Sequence, residues 1–258
     1  MKNRITTLFE RKDKNILSIY FTAGYPDLSD TSAIIATLGQ NGADLIEIGI
    51  PFSDPVADGP VIQHSSEAAL KNGMTLHLLF EQLKEIRKTV SVPLILMGYL
   101  NPVMQYGIEN FCKKCAETGI DGTIIPDLPL EIYEAEYKEL FEQNSLSNIF
   151  LITPQTPDER IRKIDGLTTG FIYMVSSSST TGVKGEVSPE QIFYFERVHN
   201  MNLHSKRMIG FGIYDKASFE KASLYANGAI IGSAFVKALE GEQVETEAKV
   251  KNFVQKFY

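Results

Sequence analysis

At 258 residues and 43% hydrophobic content, the chain is long enough to bury a sizeable core, as one large domain or two smaller ones. Its 32 acidic residues outweigh 25 basic ones, for a formal net charge of -7, which argues against nucleic acid or an anionic membrane surface as partner. The stretch from Met1 to Asp13 has too few apolar residues for a signal-peptide core and no long apolar run follows, so the expectation is a soluble, cytoplasmic protein.

Arg4 to Asp13 predicts a short amphipathic helix. Ile16 to Phe21, β-branched and aromatic, predicts the first strand, stopped by Gly24-Tyr25-Pro26-Asp27. Asp30 to Gln40 sets Ile34, Ile35 and Leu38 at helical spacing, and Gly42 closes it. Leu45 to Ile50 is the second strand, followed by helices at Pro60 to Asn72 and Leu76 to Lys88. Six more strands follow at Pro93 to Tyr99, Thr123 to Pro126, Ile149 to Thr153, Phe171 to Ser176, Met208 to Gly212 and Ala229 to Gly232. Helices at Gly107 to Thr118, Leu130 to Gln143, Asp158 to Ile164, Pro189 to Val198, Lys216 to Ala222 and Ala234 onward alternate with them.

This alternation, with no low-complexity linker, predicts an α/β fold: a single-domain (β/α)8 TIM barrel over residues 1–258 with an extra N-terminal helix. The turn after the first strand, Thr22-Ala23-Gly24-Tyr25, lacks the glycine-rich fingerprint of a doubly wound nucleotide-binding sheet. Cys112 and Cys115, on one predicted helix, read as reduced thiols rather than as a redox or metal pair, because no second pair accompanies them.

Glu47 is out of place. Buried parallel strands are normally apolar throughout, yet this carboxylate sits inside the run Leu-Ile-Glu-Ile-Gly. The loop after it holds Asp54 and Asp58 before Pro60 opens a helix. On residue type alone, Glu47 is also consistent with a strand-end ion pair and Asp58 with a turn former before Gly59. In a barrel both face the catalytic mouth, where apolar neighbours would raise the Glu47 pKa and a more solvated Asp58 would stay ionised.

Thr181-Gly182, Gly210-Phe211-Gly212-Ile213 and Gly232-Ser233 follow the last three strands, where barrels often hold phosphate. The four serines and two threonines from Ser176 to Thr181 have no histidine in a strand-end loop beside them, so the segment from Ser176 to Ser188 reads as a lid rather than a nucleophile. Tyr20, Tyr99 and Tyr173 read either as pocket lining or as barrel packing.

The block Glu-Ile-Gly-Ile-Pro-Phe-Ser-Asp-Pro-Val-Ala-Asp-Gly-Pro, from Glu47 to Pro60, closely resembles the tryptophan synthase alpha chain family. The match continues through Gly98-Tyr99-Leu100-Asn101-Pro102, Pro126-Asp127-Leu128-Pro129, Gly170-Phe171-Ile172-Tyr173 and the glycine loops, covering nearly the whole chain. The resemblance implies a lyase that cleaves indole-3-glycerol phosphate to indole and glyceraldehyde 3-phosphate without cofactor or metal. It implies Glu47 as acid and base, Asp58 at the indole nitrogen and Tyr173 beside them. Phe21, Met97, Tyr99, Pro126, Ile152 and Phe211 are implied around the indole, and Thr181, Gly182, Gly212, Gly232 and Ser233 around the phosphate end. The implied partner is a pyridoxal-phosphate beta chain, in a tetramer of two alpha and two beta chains, with Pro51, Phe52, Asp54, Asn101 and Pro129 toward it. The chain departs from the family at Ser177-Ser178-Ser179-Thr180, where a glycine is often found.

Two other readings stand beside this one. A related phosphate-binding barrel, such as an indole-glycerol-phosphate synthase, would place lysines on its strands, and none of the predicted strands has one. A non-catalytic barrel that only activates a beta chain would have no use for both Glu47 and Asp58.

Overall fold

The computed structural model describes residues 2–176, 188–210, 212–241 and 244–258. Its eight strands are β1 (Ile16–Thr22), β2 (Leu45–Gly49), β3 (Leu94–Met97), β4 (Gly122–Ile124), β5 (Ser147–Ile152), β6 (Phe171–Val175), β7 (Lys206–Gly210) and β8 (Gly228–Ile231). All pair in parallel in chain order, and β8 returns to β1 to close the barrel. The TIM-barrel expectation therefore holds.

Alternation along each strand sorts the core into two layers. Ile16, Leu45, Ile95, Ile124, Ile149, Phe171, Met208 and Ile230 point inward. Leu17, Ile19, Phe21, Ile46, Ile48, Leu96, Ile152 and Ile231 point outward into the packing with the helices. The inner layer is plugged from below by Ile5, Leu8 and Phe9 of α1 (Arg4–Arg11), with Phe9 against Phe171 at 6.0 Å between ring centroids.

The predicted helices at Asp30–Gln40 (α2) and Lys216–Ala222 keep their bounds, but several others divide. After α3 (Pro60–Lys71), the predicted Leu76–Lys88 helix ends as α4 at Leu83, followed by a separate 3-10 turn over Ile86–Lys88. A helix not foreseen, α5 (Leu100–Tyr106), stops at Gly107, whose φ of +86° begins α6 (Ile108–Thr118) in a new direction.

The predicted Leu130–Gln143 helix carries a π turn over Tyr133–Tyr137. Residues eight apart on a straight α-helix face about 80° away from each other; the wider turn brings Tyr133 and Phe141 together, at 5.4 Å and 88°. The predicted C-terminal helix breaks into shorter pieces, the first of them Ser233–Ala238 and the second Thr246–Val254.

β7 begins two residues before the predicted strand and so, against expectation, contains a lysine. Lys206 opens the strand at the bottom of the barrel and pairs with Asp13 at 2.5 Å, at the opposite end from a catalytic mouth. Cys112 and Cys115 are buried on α6, and burial pushes the Cys112 thiol up to about 12. Among the described residues no helix is long and apolar enough to cross a membrane.

The floor of the barrel is fastened by Asp121, just before β4. Its nearly inaccessible carboxylate accepts from Arg87 Nη2 at 2.6 Å, Arg4 Nη1 at 3.0 Å and the Leu94 amide at 3.0 Å. Asn3, which caps α1, donates to the Asp121 carbonyl at 3.0 Å and to Ser147 Oγ at 2.9 Å. Removing one side of a buried ion pair strands the other, so Asp121→Ala is expected to lower unfolding free energy by about 3–5 kcal/mol, read from urea denaturation.

Candidate active site

The inward face of β1 reads Ile16, Ser18, Tyr20, Thr22. It turns from apolar to polar toward the C-terminal end of the strand. Tyr20 lies opposite Glu47 in the β1–β2 register, and Glu47 lies opposite Ile95 of β3. Glu47 is fully buried. Ser18 Oγ donates to its Oε1 at 2.9 Å, while Oε2 has no hydrogen-bond partner among the described residues. Burial pushes the carboxyl up to about 8, and the Ser18 hydrogen bond opposes that rise.

Asp58 sits in the loop between β2 and α3, where its amide donates to the Pro55 carbonyl at 3.0 Å. Tyr99, at the start of α5, fixes the carboxylate. The phenol oxygen accepts from the Ala57 amide at 3.0 Å, which commits its own proton to Asp58 Oδ2, also at 3.0 Å. Asp58 is the more solvated of the two acids, as expected, but it is still partly buried, so desolvation raises its pKa, with the Tyr99 hydrogen bond working against the rise.

Tyr20 and Tyr173 join the two acids. Both phenols feel the charges of Glu47 and Asp58, and burial above all drives both strongly upward, so they remain protonated. Each lies over a glycine of the neighbouring strand. A methyl group on Gly49 would fall 2.2 Å from the Tyr20 hydroxyl, and one on Gly210 would fall 2.1 Å from that of Tyr173. Those two glycines make the room in which the phenols lie.

Two proposed indole contacts are misplaced. Phe21 and Ile152 fall on the outward face of their strands, fully buried against the helices, while Tyr20 and Leu151 pack with the inner layer. Met97 does point inward, opposite Gly49 and Ile124. Pro126 is half-buried just past β4, and the Asp127 carboxylate beside it accepts from the Leu100 amide at 2.8 Å, tying that loop to the start of α5.

At the phosphate end, Gly212 has a φ of +76° and Gly232 caps the exposed Ser233. Phe211, Thr181, Gly182 and the lid at 177–187 lie outside the described residues. Among the proposed partner-facing residues, Asp54, Asn101 and Pro129 are exposed and Phe52 is half-buried, stacked on Tyr99 at 5.2 Å. Pro51 is buried and offers no surface of its own.

Sequence reasoning missed Ser18, and left Tyr20 undecided. Their signal was the same alternation that excludes Phe21: Ser18, Tyr20 and Thr22 are three polar residues on one face of an otherwise apolar strand.

The family model for "Tryptophan synthase alpha chain" matches residues 7–257. A tryptophan synthase alpha chain of Flavobacterium psychrophilum is 60% identical over 247 residues, covering 96% of this chain and 97% of that one. Its counterpart in Parabacteroides distasonis is 56% identical, with 95% and 96% covered. Among solved structures, a tryptophan synthase complex from Pyrococcus furiosus is similar with a TM-score of 0.86 at 35% identity, covering 95% of this chain and 98% of that one.

The raised Glu47 carboxyl also makes a stability prediction. It holds its proton more tightly folded than unfolded, so the stability it contributes is full below its ordinary value of 4.5 and is lost as pH rises through about 8. Glu47→Gln removes this dependence. Between about pH 5 and pH 9 the variant should gain a few kcal/mol relative to wild type, at ~1.4 kcal/mol for each tenfold difference in proton affinity between the folded and unfolded chain, measured by urea denaturation across that range.

Proposed function

The chain belongs to the tryptophan synthase alpha chain family, and from that premise we propose that Glu47, Asp58 and Tyr173 carry its reaction at the barrel mouth. The reaction is the retro-aldol cleavage of indole-3-glycerol phosphate to indole and glyceraldehyde 3-phosphate, a carbon–carbon lyase step of L-tryptophan biosynthesis. The observation that carries the assignment of Glu47 is a fully buried carboxyl, raised to about 8, with one oxygen unpartnered.

Indole is a poor leaving group until its C3 is protonated. Neutral Glu47 delivers that proton from Oε2, leaving an iminium ring whose nitrogen bears the charge. Asp58, held as a carboxylate by Tyr99, accepts the indole N–H and offsets that charge. The Glu47 carboxylate then takes the proton of the glycerol hydroxyl as the C–C bond breaks. Its electrons neutralise the iminium, the hydroxyl carbon becomes the aldehyde, and the proton account on Glu47 closes. Tyr173, buried and protonated beside both acids, is a neutral wall that adds no competing charge.

Met97, Tyr99 and Pro126 are proposed around the ring, with Tyr20 and Leu151 in place of Phe21 and Ile152. The phosphate is proposed at Gly212, Gly232 and Ser233, together with Thr181 and Gly182. The same reading takes residues 1–258 as one catalytic domain, working in the cytoplasm where the substrates of amino-acid biosynthesis meet.

A pyridoxal-phosphate beta chain is the proposed partner, in a tetramer of two alpha and two beta chains. The stack of Phe52 on Tyr99, and the Tyr99 bond to Asp58, supply a physical route from the exposed loop to the catalytic acid. Docking that shifts Phe52 moves Tyr99, and with it the carboxylate. Asp54→Ala should therefore weaken the stimulation of indole release by a beta chain while sparing the basal rate. Equal stimulation of variant and wild type at limiting and saturating beta chain would remove Asp54 from the interface.

For the chemistry, Glu47→Gln should cost about 10²- to 10⁴-fold in kcat while binding of a substrate analogue persists. Asp58→Asn should also cut turnover sharply. Because the active form needs Glu47 protonated and Asp58 ionised, kcat should fall as pH rises through about 8 and again as Asp58 is protonated on the acid side. A kcat profile flat from pH 5 to about pH 10 would contradict these roles.

A further inference from the structure

Among the described residues Glu47 has one oxygen held and the other without a partner, and the holder is a residue to which no role has been given. Ser18 and Glu47 are both fully buried, and the Ser18 hydroxyl donates to Oε1 at 2.9 Å. Ser18 shares the inward face of β1 with Tyr20, one inward position below it; since Tyr20 lies opposite Glu47, the serine reaches the carboxyl from the floor side of the barrel. We propose that Ser18 is a positioning residue for the reaction, fixing the Glu47 carboxyl so that Oε2 alone faces the substrate and carries the proton in both directions.

The terminal torsion of a glutamate is broad, and a carboxyl without a fixed neighbour exchanges its two oxygens freely. A hydroxyl that donates to Oε1 changes this. In the neutral acid the carbonyl oxygen is the better acceptor, so a donor at Oε1 favours the acidic proton on Oε2. In the carboxylate, the same hydroxyl satisfies Oε1, so the base that meets the glycerol hydroxyl is again Oε2. One serine thus keeps acid and base at a single position through both halves of the cycle, which suits a reaction whose two proton transfers occur close together on one substrate.

The titratable groups that face Glu47 are Tyr20 from β1 and Tyr173 from β6, with Asp58 acting on both phenols from the β2–α3 loop. The phenols stay neutral through the working range, and Asp58 belongs to the acidic limb of the rate profile. Removing the Ser18 donor therefore shifts the basic limb alone. The shift is upward, because the lost hydrogen bond favoured the carboxylate against its burial.

This inference rests on Glu47 being the acid and base, so the test separates the two. The kcat and KM of indole release are measured from about pH 5 to about pH 10 for the full-length wild type, Ser18→Ala, Ser18→Thr and Glu47→Gln. Ser18→Ala is expected to lose about 3- to 10-fold in kcat with little change in KM, the range of one hydrogen bond. Its basic limb should move to a pH higher by about 0.5 to 1, and Ser18→Thr, which restores the hydroxyl, should bring the limb back. A carboxyl-carbon NMR titration of Glu47 should show the same displacement without turnover, including in a variant whose activity is damaged for other reasons. An unmoved limb and an unmoved titration in Ser18→Ala, with Glu47→Gln inactive, would overturn the role of Ser18 alone. Near wild-type turnover in Glu47→Gln would overturn the acid–base reading beneath it.

Discussion

A carboxyl group shut inside a closed barrel is the constraint on which the rest of this molecule depends. Glu47 is fully buried, with a single hydrogen bond from the described residues for its two oxygens, and such a group is tolerated only when it is neutral or when a ligand completes its contacts. The surroundings keep it dry. The barrel is closed all round, its floor is stoppered by Ile5, Leu8 and Phe9, and apart from Ser18 the inner residues named beneath the carboxyl are aliphatic and aromatic. A solvated Glu47 would be too weak a base and too readily ionised an acid for proton transfer near neutral pH.

The second acid shows how a few hydrogen bonds separate two like groups. Desolvation raises both carboxyls, but Asp58 is only partly buried and receives the proton of Tyr99, whose oxygen is itself occupied by the Ala57 amide. Glu47 receives a single hydroxyl and keeps an oxygen in reserve. The division into a proton carrier and a fixed anion follows from burial and donors rather than from residue type.

Much of this was legible in the sequence because it rests on periodicity. The barrel follows from eight alternations, and Glu47 stands out because a buried parallel strand has little reason to hold an acid. Phe21 shows the limit of reasoning by motif. The family resemblance implied it at the indole, but alternation with Ser18 and Tyr20 puts it on the outer face, among the helices. Features that depend on the third dimension gave no local sign. The Tyr99 bridge to Asp58 joins residues 41 positions apart, and Gly49 and Gly210 appear as ordinary strand residues until a phenol from a neighbouring strand lies across them. The π turn at Tyr133 likewise answers to aromatic packing against Phe141, which no helix propensity encodes.

The fastening of α1 has a consequence for how the chain is assembled. This helix leaves the ribosome before any strand of the barrel, yet its anchors, Asp121 and Ser147, arrive more than a hundred residues later, and its apolar face has no floor to seal until strands as distant as β6 and β8 have joined the ring. Through most of synthesis α1 is thus an amphipathic segment without a berth, held back until the barrel it closes has been built. Contacts of such long sequence separation favour slow, late docking. The plug is made before the barrel it seals and can take its place only after the ring has formed.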